Sequence, residues 1–290
     1  MENNNTIWIV GCGDIGRRVA ALYQDRELHG IVSSAESASL CEQLSIYSKI
    51  LDLDSSYSLE SDSFSGADIY YFAPPPPVGA KDTRLKRFLN QISEDSELPR
   101  RLVMISTTGV YGDSGGEWID ENTPVNPKAD RAVRRVSAEQ ILQRWSEKTH
   151  CSFMILRVPG IYAEDRLPLA RLEKNLPIVI EAEAGYTNRI HADDLARACK
   201  AAMDCDASNQ IINVTDGNPS TMTDYFNHVA DYAKLPRPPQ ISLDEAEQTL
   251  SAGMVSYLKE SRRIKNDKML KILGFKLLYP SLKASLKIKK

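Results

Sequence analysis

A chain of 290 residues, 42% apolar and 26% charged, can build one large or two modest domains around a substantial core. Its formal net charge of −3 gives no chain-wide basic field, which argues against a nucleic-acid partner, and no apolar run approaches the roughly 18 residues that a membrane span needs. The five cysteines (Cys12, Cys41, Cys151, Cys199, Cys205) form no C-x-x-C pair, so neither a metal site nor a disulfide framework is expected. Reduced thiols fit a cytoplasmic location, as does a beginning, "MENNNTIWIVG", without the basic-then-apolar pattern of a signal peptide. Lys283, Lys287, Lys289 and Lys290 crowd the C-terminal end and read as a solvated tail rather than a membrane contact.

In chain order, "TIWIVG" (6–11) reads as a strand and "IGRRVAALYQDREL" (15–28) as a helix with Ile15, Val19, Leu22 and Tyr23 on one side. Strands follow at 29–34, 47–53, 67–73, 101–107 and 152–158, with helices near 36–45, 82–94 and 131–148 between them. Unbroken apolar strands alternating with helices predict an α/β fold, a doubly wound parallel Rossmann sheet covered on both faces. "PPPP" (74–77) forces an extended turn after the fourth strand. Beyond Pro159 the pattern loosens. A helix over 189–203, a short strand over 210–216 and helices near 221–234 and 243–259 are expected there. The dinucleotide-binding unit is expected over 1–158, completed by about 189–215, with 159–188 and 216–290 forming a smaller substrate-binding region.

"GCGDIG" places glycines at 11, 13 and 16 between a strand and a helix, the context a dinucleotide fingerprint requires. Gly11 permits the tight turn, Gly13 lets a pyrophosphate approach the backbone, and Gly16 allows close helix–strand packing. The helix start offers amide N–H groups to the phosphates. An NAD site usually carries an acid about 20 residues on, bonding the ribose 2′-hydroxyl. Here the second strand ends in Ser33-Ser34, whose hydroxyls suit a 2′-phosphate better than a carboxylate does. NADP is therefore preferred, with NAD as the alternative cofactor.

Further motifs occur in order: "LDLD" (51–54), "FAPPP" (72–76), "STTGVYGD" with "IDENTPVNP" (119–127), "LRVPGIY" (156–162), "RIHADDLARA" (189–198), "INVTDGNPST" (212–221) and "SRRIKNDKMLKILGF" (261–275). Over its whole length the chain resembles the extended short-chain dehydrogenase/reductase superfamily, in its NAD-dependent epimerase/dehydratase group of nucleoside-diphosphate-sugar enzymes. The resemblance implies that Gly11, Gly13, Asp14, Ile15, Gly16, Asp52, Leu53, Ala73, Pro74 and Pro75 line the dinucleotide. Val158, Pro159 and Gly160 would flank its nicotinamide. Thr107 holds the family's catalytic Ser/Thr position, and Arg189 and His191 would face the substrate, the histidine serving equally as a structural link.

One element of the family pattern is absent. Counting back from Glu139, the Tyr and Lys of the Tyr-x-x-x-Lys helix fall on Arg131 and Arg135. A guanidinium does not deprotonate in proteins, so it cannot shuttle a proton as tyrosine does. Tyr111 is the nearest replacement, with loop packing as its alternative role. Arg131 and Arg135, four apart on one helical face, suggest a grip on an anionic substrate or a sugar nucleotide, or else a solvated face with Arg135 paired to Glu139. Two function classes follow: an oxidoreductase or epimerase-like enzyme with altered catalytic residues, or a catalytically silent dinucleotide-binding sensor. The family resemblance also raises a homodimer.

Overall fold

The computed structural model describes residues 5–60, 62–94, 97–250 and 252–286. Seven strands make one parallel sheet: β1 Thr6–Val10, β2 Glu27–Val32, β3 Tyr47–Ile50, β4 Asp68–Tyr71, β5 Arg101–Thr107, β6 Ser152–Val158 and β7 Gln210–Asn213. Their spatial order is β7-β6-β5-β4-β1-β2-β3, so the strand order reverses between β1 and β4. In an open α/β sheet that reversal opens a crevice at the carboxyl ends of the two strands, where ligands bind.

β1 shows why the strands read as continuous apolar runs. Ile7 and Ile9 enter one core cluster, while Trp8 and Val10 enter the cluster on the opposite face. On the first face lie α1 (Asp14–Ala20), α2 (Ala35–Glu42) and α5 (Ala192–Asp204), contributing Val19, Ala38, Leu195 and Cys199. On the second lie α3 (Thr83–Ile92) and α4 (Asp130–Thr149), contributing Leu85, Phe88 and Leu142. Each of the valine, leucine and phenylalanine side chains among them, fully buried, contributes about 1.5–3 kcal/mol, and Ala38 less. A separate cluster joins Tyr162, Leu172 and Ile178 to Phe226, Val229 and Ala230 of α6 (Met222–Ala233).

Several boundaries differ from the sequence reading; the strands expected over 47–53 and 210–216 end at Ile50 and Asn213. The first helix stops at Ala20, because Glu27 and Leu28 belong to β2 and pair with Thr6 and Ile7. Arg189–His191 is a short strand paired with Gly160–Tyr162, and the helix begins only at Ala192. The stretch 243–259 divides into helices Leu243–Thr249 and Ala252–Leu258, with Leu250 extended between them. Of the C-terminal lysines, Lys287, Lys289 and Lys290 lie outside the described residues, and Lys283 stands 3.4 Å from Asp224. Among the described residues no helix is long and apolar enough to cross a membrane.

Candidate active site

The chain leaves β1 at Gly11 with φ of +82°, a left-handed value that favours glycine. A Cβ at Gly11 would stand 2.5 Å from the Ala73 nitrogen, so the ends of β1 and β4 approach only because none is there. At Gly16 a Cβ would come within 2.9 Å of Ile9 Cγ2, which is how α1 lies close on β1. Gly13 is different. Its Cβ would meet nothing nearer than the Gly11 carbonyl oxygen at 4.0 Å, and no side chain caps α1 behind it. Bare main chain at an uncapped helix start, beside the sheet's switch point, fits a dinucleotide pyrophosphate.

The residues around this turn are held by defined partners. Asp14 accepts from Arg18 Nε at 3.0 Å and from Arg166 Nη1 at 2.5 Å, and Arg18 also grips Asp165 at 2.5 Å and Asp193 at 2.6 Å. The Asp14 charge beside the phosphate position is thus balanced, while Ile15 packs into the core. Asp52 folds into its own turn, accepting from the Ser55 hydroxyl at 2.6 Å and the Asp54 amide at 2.9 Å, and these bonds hold it below the usual carboxylate range. Leu53 and Ala73 are buried; the Pro74 carbonyl, next to Pro75, accepts from Arg84 at 3.0 Å. Ser33 and Ser34 are exposed at the end of β2. Ser34 Oγ accepts the Ser37 amide at 3.2 Å as the cap of α2, whereas Ser33 Oγ makes no hydrogen bond among the described residues.

A second feature lies at the carboxyl ends of β5 and β6. Thr107 ends β5 and its Oγ1 accepts the Gly109 amide at 3.2 Å, an arrangement that leaves its proton free to donate. It borders a cavity of about 190 Å³ shared with Gly109, Arg131, Pro159, Gly160, Asn188, Tyr257, Glu260 and Arg262. Val158 is buried at the end of β6 just before Pro159. Arg131 therefore stands in the cleft with Thr107, exposed and without a hydrogen bond or ion pair among the described residues.

Arg135 takes another course. Its Nη1 lies 3.5 Å from the Ala73 carbonyl, against the cofactor wall, and burial pushes its pKa down. The expected pairing of Arg135 with Glu139 is not formed. Glu139 is committed to Arg157, at 3.1 and 2.7 Å, and to the Ser106 hydroxyl at 2.5 Å, all buried between α4 and the sheet. Tyr111 is also placed otherwise than expected for a proton donor. It is 2% exposed, its hydroxyl donates to Asn213 Oδ1 at 2.8 Å, and Arg157 lies over its ring at 4.8 Å, so it does not border the cleft.

His191 is buried, with Nδ1 accepting the Asp193 amide at 3.2 Å and its ring stacked 3.6 Å from Tyr279. Burial lowers its pKa, and the ring works as the cap of α5 and a link to the C-terminal segment. Arg189 is buried behind the cleft, bonding Ser220 Oγ at 3.0 Å and lying over the Tyr225 ring at 4.2 Å, with its pKa pushed down by burial. Tyr257, Glu260 and Arg262 were not singled out by the sequence reading. Of these only Arg262 falls within the late "SRRIK" motif, whose tertiary position a single sequence does not disclose.

Residues 85–215 match the model of the NAD dependent epimerase/dehydratase family. A 3-diazoavenalumate denitrifying reductase from Streptomyces sp is 30% identical over 63% of this chain and 62% of its own length. The chain spans less than two thirds of either curated relative it matches, 62% and 45%. Among solved structures, a functionally unknown conserved protein from Silicibacter pomeroyi DSS shares 26% identity at a TM-score of 0.84, covering 97% of this chain and 96% of that one. UDP-glucuronic acid 4-epimerase from Bacillus cereus, in complex with NAD, shares the fold at 16% identity and a TM-score of 0.76, covering 98% and 97%.

Proposed function

We propose, from the match of residues 85–215 to the model of the NAD dependent epimerase/dehydratase family, an NADP(H)-dependent oxidoreductase acting on a small molecule in the cleft beside Thr107. NAD(H) is the second choice of cofactor. The observation that carries this reading is the Thr107 hydroxyl, with a proton free to donate, facing the same cleft as Pro159 and Gly160, on the sheet edge that holds the open Gly13 turn. The Streptomyces relative's name as a reductase and the NAD held by the Bacillus epimerase support it. Ser33, unbonded at the end of β2, supports the 2′-phosphate preference.

A nicotinamide bound here would supply or accept a hydride. The chain's own residues do the rest. Gly11, Gly13 and Gly16 shape the turn, and Ala73 with Pro74 forms the facing wall. Thr107 donates to the reacting oxygen, where a hydrogen bond matters most as charge develops. Arg131, standing where the family keeps tyrosine, steadies negative charge but cannot pass a proton. Loss of a general acid/base typically lowers rate by about 10²–10⁴, so the usual epimerase chemistry is the weaker reading. The cofactor unit is assigned to 1–158 with about 189–215, and the substrate side to 159–188 and 216–290. A homodimer stays a proposal from the family resemblance alone; sedimentation at monomer mass would remove it.

The test is consumption of reduced cofactor with a panel of small carbonyl compounds, repeated with Thr107→Ala. Turnover that falls in the variant supports the enzyme. Tight cofactor binding without any turnover supports the second reading, a silent dinucleotide sensor, which the replacement of tyrosine by Arg131 favours.

A further inference from the structure

The cleft beside Thr107 is bordered by a guanidinium that is only partly used. Arg262 is 8% exposed, and its Nη1 donates to the Gly112 carbonyl at 2.6 Å and to Glu260 Oε2 at 2.7 Å. Its Nε is buried with no partner, and among the described residues no hydrogen bond engages its Nη2. The unused Nε–Nη2 edge is the planar fork that grips a carboxylate through two parallel bonds. Buried polar groups are nearly always bonded, so an orphaned guanidinium nitrogen on a residue that lines a cavity points to a ligand.

The edge is also held in place before any ligand arrives. Asn188 donates to the Arg262 carbonyl at 3.0 Å and accepts the Ile264 amide at 2.9 Å, clamping the main chain on both sides. Arg263 and Ile264 pair with Trp118 and Ile119, and Arg263 lies over the Trp118 and Tyr186 rings at 5.4 and 4.9 Å. A binding group fixed in this way loses little entropy when it engages.

Charge and size narrow the occupant. The charged side chains bordering the cavity are Arg131, Arg262 and Glu260, leaving one net positive charge. The volume, about 190 Å³, is a little more than the roughly 150 Å³ that accommodates a benzene ring. Drug-sized ligands occupy roughly 300–1,000 Å³. A sugar nucleotide, with its two phosphates, would extend well beyond this space.

We infer that the cleft recognises a small monocarboxylic acid of about one ring, its carboxylate held by the free edge of Arg262 with Arg131 as the second positive group. The inference rests on the oxidoreductase reading for what becomes of the acid, but not for its binding.

Benzoate, its neutral isostere benzamide, and UDP-glucose are the probes, titrated calorimetrically into the full chain with and without NADP⁺ or NAD⁺. Benzoate is expected to bind once per chain, with benzamide weaker by about tenfold or more. Arg262→Lys keeps the charge and loses the fork, so benzoate affinity should fall by about tenfold while dinucleotide affinity is unchanged. Should that variant fail to fold, Arg131→Gln, on an exposed side chain, carries the test through a loss of benzoate affinity of about threefold or more. Equal binding of benzoate and benzamide, no benzoate binding, indifference to Arg131→Gln, or tighter binding of UDP-glucose would each overturn the inference. Benzoate binding by a chain that takes up no dinucleotide sustains this inference and removes the cofactor reading instead.

Discussion

The glycine turn and the cleft beside Thr107 share one edge of one sheet, yet they are built in opposite ways. The turn is a contiguous run whose geometry is set by where a Cβ cannot be: against Ala73 at Gly11 and against Ile9 at Gly16. The cleft is assembled from segments far apart in the chain, so that Arg262 is fixed by a bond to Gly112, 150 residues earlier. A local site depends on backbone conformation and tolerates little change of residue. An assembled site depends on the elements that hold its walls, and its chemistry is free to change while the fold stays.

The largest effect is expected where the cleft's supports are cut. Glu139 and Arg157 are both nearly fully buried and share two hydrogen bonds. Burial alone would lower the Arg157 pKa, but the bonds and charge of Glu139 hold it above its ordinary value. Glu139→Ala leaves that guanidinium uncompensated and should lower stability by about 3–5 kcal/mol, read by urea denaturation. A loss under about 1 kcal/mol would mean that Arg157 finds water or another partner.

Next come paired substitutions in the turn. Gly11→Ala combines a left-handed φ with a main-chain collision and should lower stability by at least about 2 kcal/mol. Gly13→Ala, with open space around the added carbon, should stay within about 1 kcal/mol of the parent and show its effect in dinucleotide affinity. Equal denaturation midpoints for the two variants would erase the distinction between the glycines.

In the cleft, Thr107→Ala should reduce turnover by about ten- to a hundredfold and leave cofactor affinity nearly unchanged, as a group that acts mainly in the transition state. Unchanged turnover would return Thr107 to the role of a strand-end residue capping Gly109.

A last effect, read through pH, concerns Asp216, just beyond β7, whose carboxyl burial pushes up to about 7 although the Asn218 amide bonds it. In this window the folded chain keeps a proton that the unfolded chain has released. The stability Asp216 contributes is therefore full below about pH 4 and is lost as pH rises through about 7. Asp216→Asn should flatten that decline in a series of denaturation midpoints from pH 4 to 7; an unaltered slope would assign the decline to other groups.

The sequence disclosed most of the sheet because both faces of each strand are covered, so β1, β4, β5 and β6 read as apolar runs. The first helix is overextended in the sequence reading, since Ile15, Val19, Leu22 and Tyr23 keep a helical spacing while Glu27 and Leu28 are captured by pairing with β1. The glycine turn was legible because local backbone demands select glycine. Arg131 is reached from the sequence only through the family resemblance, which implies that it stands at the tyrosine position. Glu139 was misassigned because helical spacing offers it Arg135, whereas the fold brings it Arg157 and Ser106 from neighbouring strands. Arg262 lies in the late motif and Glu260 just before it, but only the tertiary fold sets them beside Thr107.

The claim that a dinucleotide lies across the open Gly13 turn is tested most directly by calorimetric titration of the parent chain and Gly13→Val with NADPH and NADH. One NADPH per chain is expected, with NADH weaker and a loss of at least about tenfold, or about 1.4 kcal/mol, for both in the valine variant while its fold is retained. NADH binding about tenfold tighter than NADPH would contradict the Ser33 and Ser34 preference alone. No binding of either, or binding indifferent to Gly13→Val, would contradict the cofactor site itself.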